Sequence, residues 1–291
     1  MRRAHAGAVA ASVDPARVAE LYRTVLARLL EVRIPFMVGG GHAFRHYTGI
    51  ERYTKDLDIF VRPSEAAIAL EQLVGAGTRT ELTFPHWLGK IHGEEGFIDI
   101  VFSSGNGVAV VDDEWLLRAH AGMVLGLPVR LCPAEETIWS KAFVAERERY
   151  DGADVAHIIK AGGHSLDWPR ILRRFGDHWR VLLSHLVLYD FIYPGDRACV
   201  PSWVTRTLVS RLTAEIETQH EEVPGPKLCR GTLLSREQYL PDLQDQGYLD
   251  ARLVEGWMTA DEIRLWTQAI GPIGRGAAGR AGGRRAHRRG R

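Results

Sequence analysis

Three aspartates in this chain have the types and spacing to do chemistry together. Asp56 and Asp58 lie in Thr54-Lys55-Asp56-Leu57-Asp58-Ile59-Phe60-Val61, and Asp99 lies in Ile98-Asp99-Ile100-Val101-Phe102. Side chains alternate along a strand, so Asp56 and Asp58 aim to one side while Leu57 and Ile59 face a core. If Asp99 occupies a neighbouring strand, three carboxylates converge. Such oxygens repel one another unless a cation neutralises them. Mg²⁺ suits them, because it is held by a few carboxylates while substrate phosphates fill its other positions.

Upstream, the apolar run Ile34-Pro35-Phe36-Met37-Val38 leads straight into Gly39-Gly40-Gly41, and a helix-compatible stretch follows to Gly49. Backbone amides at such a helix start suit phosphate oxygens. A glycine pair alone reads equally well as a turn, and Asp-x-Asp alone as surface acids. The combination in this order is far more specific than either part.

These residues resemble the polymerase-beta-type nucleotidyltransferase superfamily: paired glycines, then hydrophobic-Asp-hydrophobic-Asp-hydrophobic, then a lone Asp on a later strand. The resemblance covers roughly residues 34–102 and weakens to about 160. It implies an enzyme that moves a nucleoside monophosphate from an NTP to an acceptor, using two divalent metals. Gly39 and Gly40 match the phosphate-loop pair, Asp56 and Asp58 the metal-binding pair, and Asp99 the third acid. A later stretch looks like the abortive-infection and toxin-type branch, where a helix lysine precedes two aspartates. Lys141 matches that lysine, and Asp151 and Asp154 match the pair. The implied roles are metal ligation by Asp56, Asp58 and Asp99, and triphosphate contact by Gly39, Gly40 and Lys141, with Asp154 in support. A simpler reading makes Asp151 the N-cap of the next helix and Arg147/Asp151 a surface pair at i,i+4.

The acceptor is open on this reading: a protein hydroxyl, an RNA end, an aminoglycoside-like small molecule or a second nucleotide. Two other functions compete. One is a lapsed, nucleotide-binding regulatory module on the same fold; the other is a metal-dependent phosphohydrolase with water as acceptor. Weaker candidates are Thr54, Lys55, Arg45, His46 and Arg52 near a triphosphate, and His42 in a local turn contact. Trp139, Trp168 and Trp179 read as core. Cys229-Arg230-Gly231-Thr232-Leu233 and Tyr239 sit in turn-rich chain that could line an acceptor site.

The elements that must position these residues follow from periodicity. Asp14-Pro15 opens a helix to about Val32, with Asp as N-cap and Pro at the first position. Strands are expected at Ile34–Val38, Leu57–Val61 and Thr80–Phe84. A hairpin pairs His86–His92 with Gly96–Phe102 around Gly93-Glu94-Glu95-Gly96, a short helix covers Asp112–His120, and a strand pair or edge strand covers Met123–Leu131. After Pro133 the pattern turns helical: a long helix through Ala145, then Asp151–Lys160, Trp168–Phe175, Trp179–Tyr189, Pro201–His220 and Thr259–Ile270. The expected fold is therefore α/β (α+β), a mixed-sheet core over residues 1–132 with a mainly helical region over 133–270.

Composition sets the frame. The chain has 291 residues, is 45% hydrophobic and 25% charged, and carries a net charge of +1, as an ordinary globular protein does. No apolar run reaches the roughly 20 residues of a membrane span, and the N-terminus lacks the apolar centre of a signal peptide. The odd, scattered cysteines Cys132, Cys199 and Cys229 fit a reducing cytoplasm. The net charge hides an asymmetry, since residues 275–291 hold seven arginines and no acid. That 271–291 tail, rich in Gly and Arg, is expected to be disordered. It reads first as a solvated extension, with an electrostatic arm for RNA as the functional alternative.

Overall fold

The computed structural model describes residues 14–51, 56–75, 77–218 and 226–269. Helix α1 (Pro15–Glu31) begins as its sequence dictates: the Asp14 carboxylate accepts from the Ala16 amide, with Pro15 in the first turn. Beyond it lie β1 (Met37–Val38), α2 (Gly40–Thr48), β2 (Leu57–Phe60) and α3 (Pro63–Gln72). Strands β3 (Arg79–Phe84), β4 (Leu88–His92) and β5 (Phe97–Val101) follow, then α4 (Asp113–Arg118), β6 (His120–Val124) and β7 (Leu127–Leu131). These seven strands form one sheet in the order β3-β4-β5-β2-β1-β7-β6. β2 runs parallel to β5 and β1 parallel to β7; the other neighbours are antiparallel. The sheet is mixed, and β2, which carries Asp58, is its central strand.

Each face of the sheet has its own apolar layer. Val38, Leu57, Ile59, Ile91, Ile98 and Ile100 pack with Tyr22, Leu26 and Leu29 of α1 and Ala66, Ala69 and Leu70 of α3. The opposite face presents Met37, Phe60 and Cys132 to Ala43 and Phe44 of α2 and to the helices that follow β7. Alternation puts Asp58 and Asp99 on this second face.

Those helices are α5 (Ala134–Ala142), α6 (Gly152–Gly162), α7 (Trp168–Phe175), α8 (Trp179–Ile192) and α9 (Ser202–Thr218). One apolar cluster runs from Met37, Phe44 and Trp115 through Trp139, Ile159, Trp168 and Trp179 to Leu208, crossing residue 132 without a break. The three tryptophans read as core are buried in it. A smaller parallel pair, β8 (Leu228–Cys229) and β9 (Leu249–Asp250), follows with α10 (Leu240–Asp245), α11 (Ala251–Val254) and α12 (Ala260–Gln268). Thr259 and Glu262 close a capping box at the start of α12, and the Trp266 ring of α12 meets Phe84 at the end of β3.

Several boundaries moved for local reasons. The Ile34–Val38 strand shrinks to Met37–Val38, because the Ile34 amide still bonds Leu29 at the end of α1 and Pro35 has no amide to give to a ladder. The Met123–Leu131 segment is a strand pair, a hairpin whose first strand starts already at His120, a residue expected in the preceding helix. Leu125 (φ 51°) and Gly126 (φ 80°) make its turn. The helix expected through Ala145 stops at Ala142, and Ala145 bridges Tyr150 to form a tight loop. Among the described residues, no helix is long and apolar enough to cross a membrane.

Candidate functional site

The parallel pairing of β2 and β5 sets Asp58 directly beside Asp99. Asp56 stands just before β2, two residues from Asp58 and hence on the same side. One oxygen from each of the three carboxylates lies within 4.8 Å of the others. Among the described residues this is the one such cluster of His, Cys, Asp and Glu donors. Its donors are all hard carboxylate oxygens with no thiolate or imidazole, which fits Mg²⁺ rather than a soft metal.

The glycines are adjacent for steric reasons. Gly40 has φ +51°, a left-handed conformation, and a Cβ there would collide with Asp58 Oδ2. A Cβ on Gly39 would collide with the Phe60 ring. The Gly39 amide donates to the Asp58 carbonyl at 2.9 Å. No side chain caps α2, which starts at Gly40. The positive end of the α2 dipole therefore lies against the acidic cluster, with its first amides uncapped.

The cluster is electrostatically unsettled. Burial pushes the Asp58 carboxyl up to about 7; the charges of Asp56 and Asp99 add to this, and Lys141 and Arg149 oppose it. Asp99 is raised as well, by burial first and then by Asp56, although Lys90 counters with a hydrogen bond to Asp99 Oδ1 at 2.6 Å.

A second cluster is balanced instead. Lys141, in the last turn of α5, contacts Asp151 Oδ2 at 3.0 Å and Asp154 Oδ2 at 2.9 Å. Arg149 donates to both oxygens of Asp151, at 3.1 and 2.9 Å. Burial disfavours the Asp151 carboxylate, but Arg149 and Lys141 outweigh it and hold its pKa below the usual range. Two of the simpler readings are thereby corrected. Asp151 stands at the N-cap of α6, yet its side chain makes no capping bond, because two cations claim it. Arg147 pairs with Glu148 rather than Asp151, with its side chain in solvent.

Two site residues escaped the sequence reading. Lys90 was legible in principle: a hairpin closed by Gly93–Gly96 pairs His92 with Phe97 and hence Lys90 with Asp99. Arg149 had no such signal, because its approach depends on the Ala145–Tyr150 loop. Of the weaker candidates, Arg45 pairs with Glu51 at 2.7 Å on the surface. The His42 pKa is lowered by burial and by Arg45. Gly231 lies under the Tyr239 ring, and Thr232 bonds Asp250 within the small β8–β9 unit. Arg52, Thr54, Lys55 and the arginine-rich 275–291 stretch lie outside the described residues.

No family model and no curated protein matches this chain. Some solved structures match it at low identity and low TM-score. The antibiotic-resistance factor ANT(2'')-Ia is 18% identical, with a TM-score of 0.34 over 72% of this chain and 100% of the other. JHP933 from Helicobacter pylori is 12% identical, with a TM-score of 0.37 over 72% and 100%. The lincosamide antibiotic adenylyltransferase LnuA, in its lincomycin-bound form, is 16% identical, with a TM-score of 0.35 over 48% and 94%. At these scores none of them bears on the chemistry of this chain.

Proposed function

We propose that this chain is a divalent-metal-dependent nucleotidyltransferase, moving a nucleoside monophosphate from an NTP to an acceptor hydroxyl of protein, RNA or a small molecule. The observation that carries this is the meeting of Asp56, Asp58 and Asp99 within 4.8 Å against an uncapped glycine helix start. Three facing carboxylates destabilise a fold unless a cation binds them. That cost argues for a working centre over a lapsed regulatory module.

Asp56, Asp58 and Asp99 would hold one or two Mg²⁺ ions, with Asp58 between the other two and Asp99 toward the acceptor. Bound there, Mg²⁺ would neutralise phosphate charge and stabilise the attacking and leaving oxygens. The chain's own groups do the positioning. Gly40 keeps space beside Asp58, and Gly39 beside the Phe60 ring, so that α2 amides can meet phosphate oxygens. Lys141 and Arg149, both felt electrostatically at Asp58, would take the triphosphate, with Asp151 and Asp154 orienting them. The site then lies at the seam between the sheet (1–132) and the helical region (133–270). Catalysis of this kind is mostly orientation and charge neutralisation.

The test is incubation with each α-labelled NTP and Mg²⁺, alone and with total RNA, cell lysate or aminoglycoside-like compounds. Label should move to one acceptor class and stay in the NTP for Asp58→Asn. Label appearing only as free nucleotide would instead support the phosphohydrolase, with water as acceptor. No metal-dependent turnover of any NTP across these acceptors would reject the transferase.

A further inference from the structure

A row of three charged residues crosses the outer half of the sheet on the active face. The registers pair Glu81 of β3 with Lys90 of β4, and Lys90 with Asp99 of β5. Directly opposed cross-strand side chains are close enough to interact, so Lys90 stands between two carboxylates. It engages one of them: its Nζ is 2.6 Å from Asp99 Oδ1 and lies over the Phe97 ring, 4.3 Å from the centroid. The pair is largely shielded, with Lys90 24% and Asp99 14% exposed. Glu81 is 42% exposed, and its ion-pair contacts among the described residues are long, His92 Nε2 and Arg79 Nη1 each at 3.5 Å.

This arrangement has a consequence for any cation that enters. An ammonium already neutralises one oxygen of the acidic cluster, and a divalent ion at Asp99 would sit close to it and repel it. A lysine stem is long and flexible, with a compact charge at its tip, and its other cross-strand neighbour is an under-occupied carboxylate. Resting on the metal-centre reading above, we propose that Lys90 is a built-in counter-ion of this centre. It holds Asp99 in the metal-free protein and is handed to Glu81 when a divalent cation binds. Lys90 is thus a positioning residue, which keeps the three acids together without metal and makes occupancy at Asp99 the weaker, displaceable step.

Lys90 and Glu81 should respond in opposite directions. Mn²⁺ binding to the full chain without nucleotide can be followed by calorimetry and by loss of the free-ion paramagnetic resonance signal. Lys90→Met should tighten Mn²⁺ binding on the order of tenfold, because an uncompensated Asp99 is left to the metal. It should also lower the melting temperature in chelator and enlarge the rise on adding Mn²⁺. Glu81→Gln should weaken Mn²⁺ binding several-fold, since the displaced ammonium loses its destination. Wild-type affinity in both variants, or weaker binding in Lys90→Met, overturns the exchange while leaving the metal centre standing. If Lys90→Met does not fold, Glu81→Gln decides alone, and unchanged affinity overturns the proposal. Absence of Mn²⁺ binding in the wild type, matched by Asp58→Asn, rejects the metal centre itself and this inference with it.

Discussion

Two charged regions of this molecule treat their carboxylates in opposite ways. At the joint of α4, α5 and α7, arginines meet acids nearly one for one. Arg174 bonds both oxygens of Asp112, at 2.5 and 2.9 Å, and reaches Glu136 Oε1 at 3.1 Å. Buried Arg170 pairs with Glu135 and lies 3.6 Å from Glu136. Burial raises Asp112, but its hydrogen bonds from Arg174 outweigh this and carry its pKa below the usual range. Even here Glu136, fully buried, is pushed up by burial against both arginines. At the β2–β5 pair three acids converge, and although Lys90 bonds Asp99 and Lys141 and Arg149 act on Asp58, burial and the other two acids still raise Asp58 to about 7. Matched charge ties elements together. Unmatched charge destabilises the apo fold and persists where something else supplies the cation.

The strongest way to break this contrast is to remove one charge from each region. Asp58→Asn should lower NTP-dependent transfer by about 10²–10³-fold, in the range seen when preorganised charge stabilisation is lost, while its melting temperature stays equal or rises. Arg170→Ala should do the converse, losing about 3–5 kcal/mol in a denaturant titration because Glu135 is left buried without its cation and Glu136 keeps only Arg174. A melt of Asp58→Asn far below wild type would make the two regions alike and remove the contrast.

Lys141→Ala sharpens it, because Lys141 belongs to the balanced cluster yet is felt at Asp58. Its KM for NTP should rise about tenfold, or kcat should fall instead if the contact forms mainly in the transition state. Steady-state kinetics separate these cases, and unchanged values would reduce the site to the three acids and the glycine turn. Gly40→Ala tests the steric side. A non-glycine residue at φ +51° costs about 1–2 kcal/mol, and the new methyl must displace the Asp58 carboxylate. Activity should therefore fall further than the stability loss alone explains, measured as turnover per folded molecule.

The last test is the pH dependence. Asp58 has a folded pKa above its unfolded value, so the native state binds the extra proton between about pH 4 and pH 7. Apo stability should then fall as pH rises through that window, by at most about 1.4 kcal/mol per pH unit for one proton. Asp99, also raised, acts with the same sign. Asp112 and Asp151, lowered, act oppositely but only as pH drops below the ordinary carboxylate range. Asp58→Asn should flatten the slope, and so should saturating Mg²⁺. A wild-type stability that rises from pH 5 to pH 7 would contradict the assignment.

Much of this was legible before any coordinates. Alternation placed Leu57 and Ile59 in the core and so turned Asp58 to the other face; the same period holds for Ile98 and Ile100 around Asp99 in the structure. The Gly93–Gly96 turn specified the β4–β5 hairpin. Asp14-Pro15 and Thr259 with Glu262 marked their helix starts, because caps are local chemistry. The errors fell where a local signal competed with a distant partner. Asp151 has a capping residue's sequence, but Lys141 and Arg149 reach its carboxylate first. His120 continued a helical pattern, yet β7 offered it a ladder.

The residue types and their spacing thus determined which side chains could carry charge to a common face, since period-two alternation and glycine turns depend on nearest neighbours. Only the tertiary structure decided that β5 lies beside β2 in the register that sets Asp99 next to Asp58. The approach of Lys141 and Arg149 to that pair was decided at the same level. Those outcomes depend on strand order and helix packing, which arise from burying apolar surface across the whole chain and leave no mark on the sequence near any one of these residues.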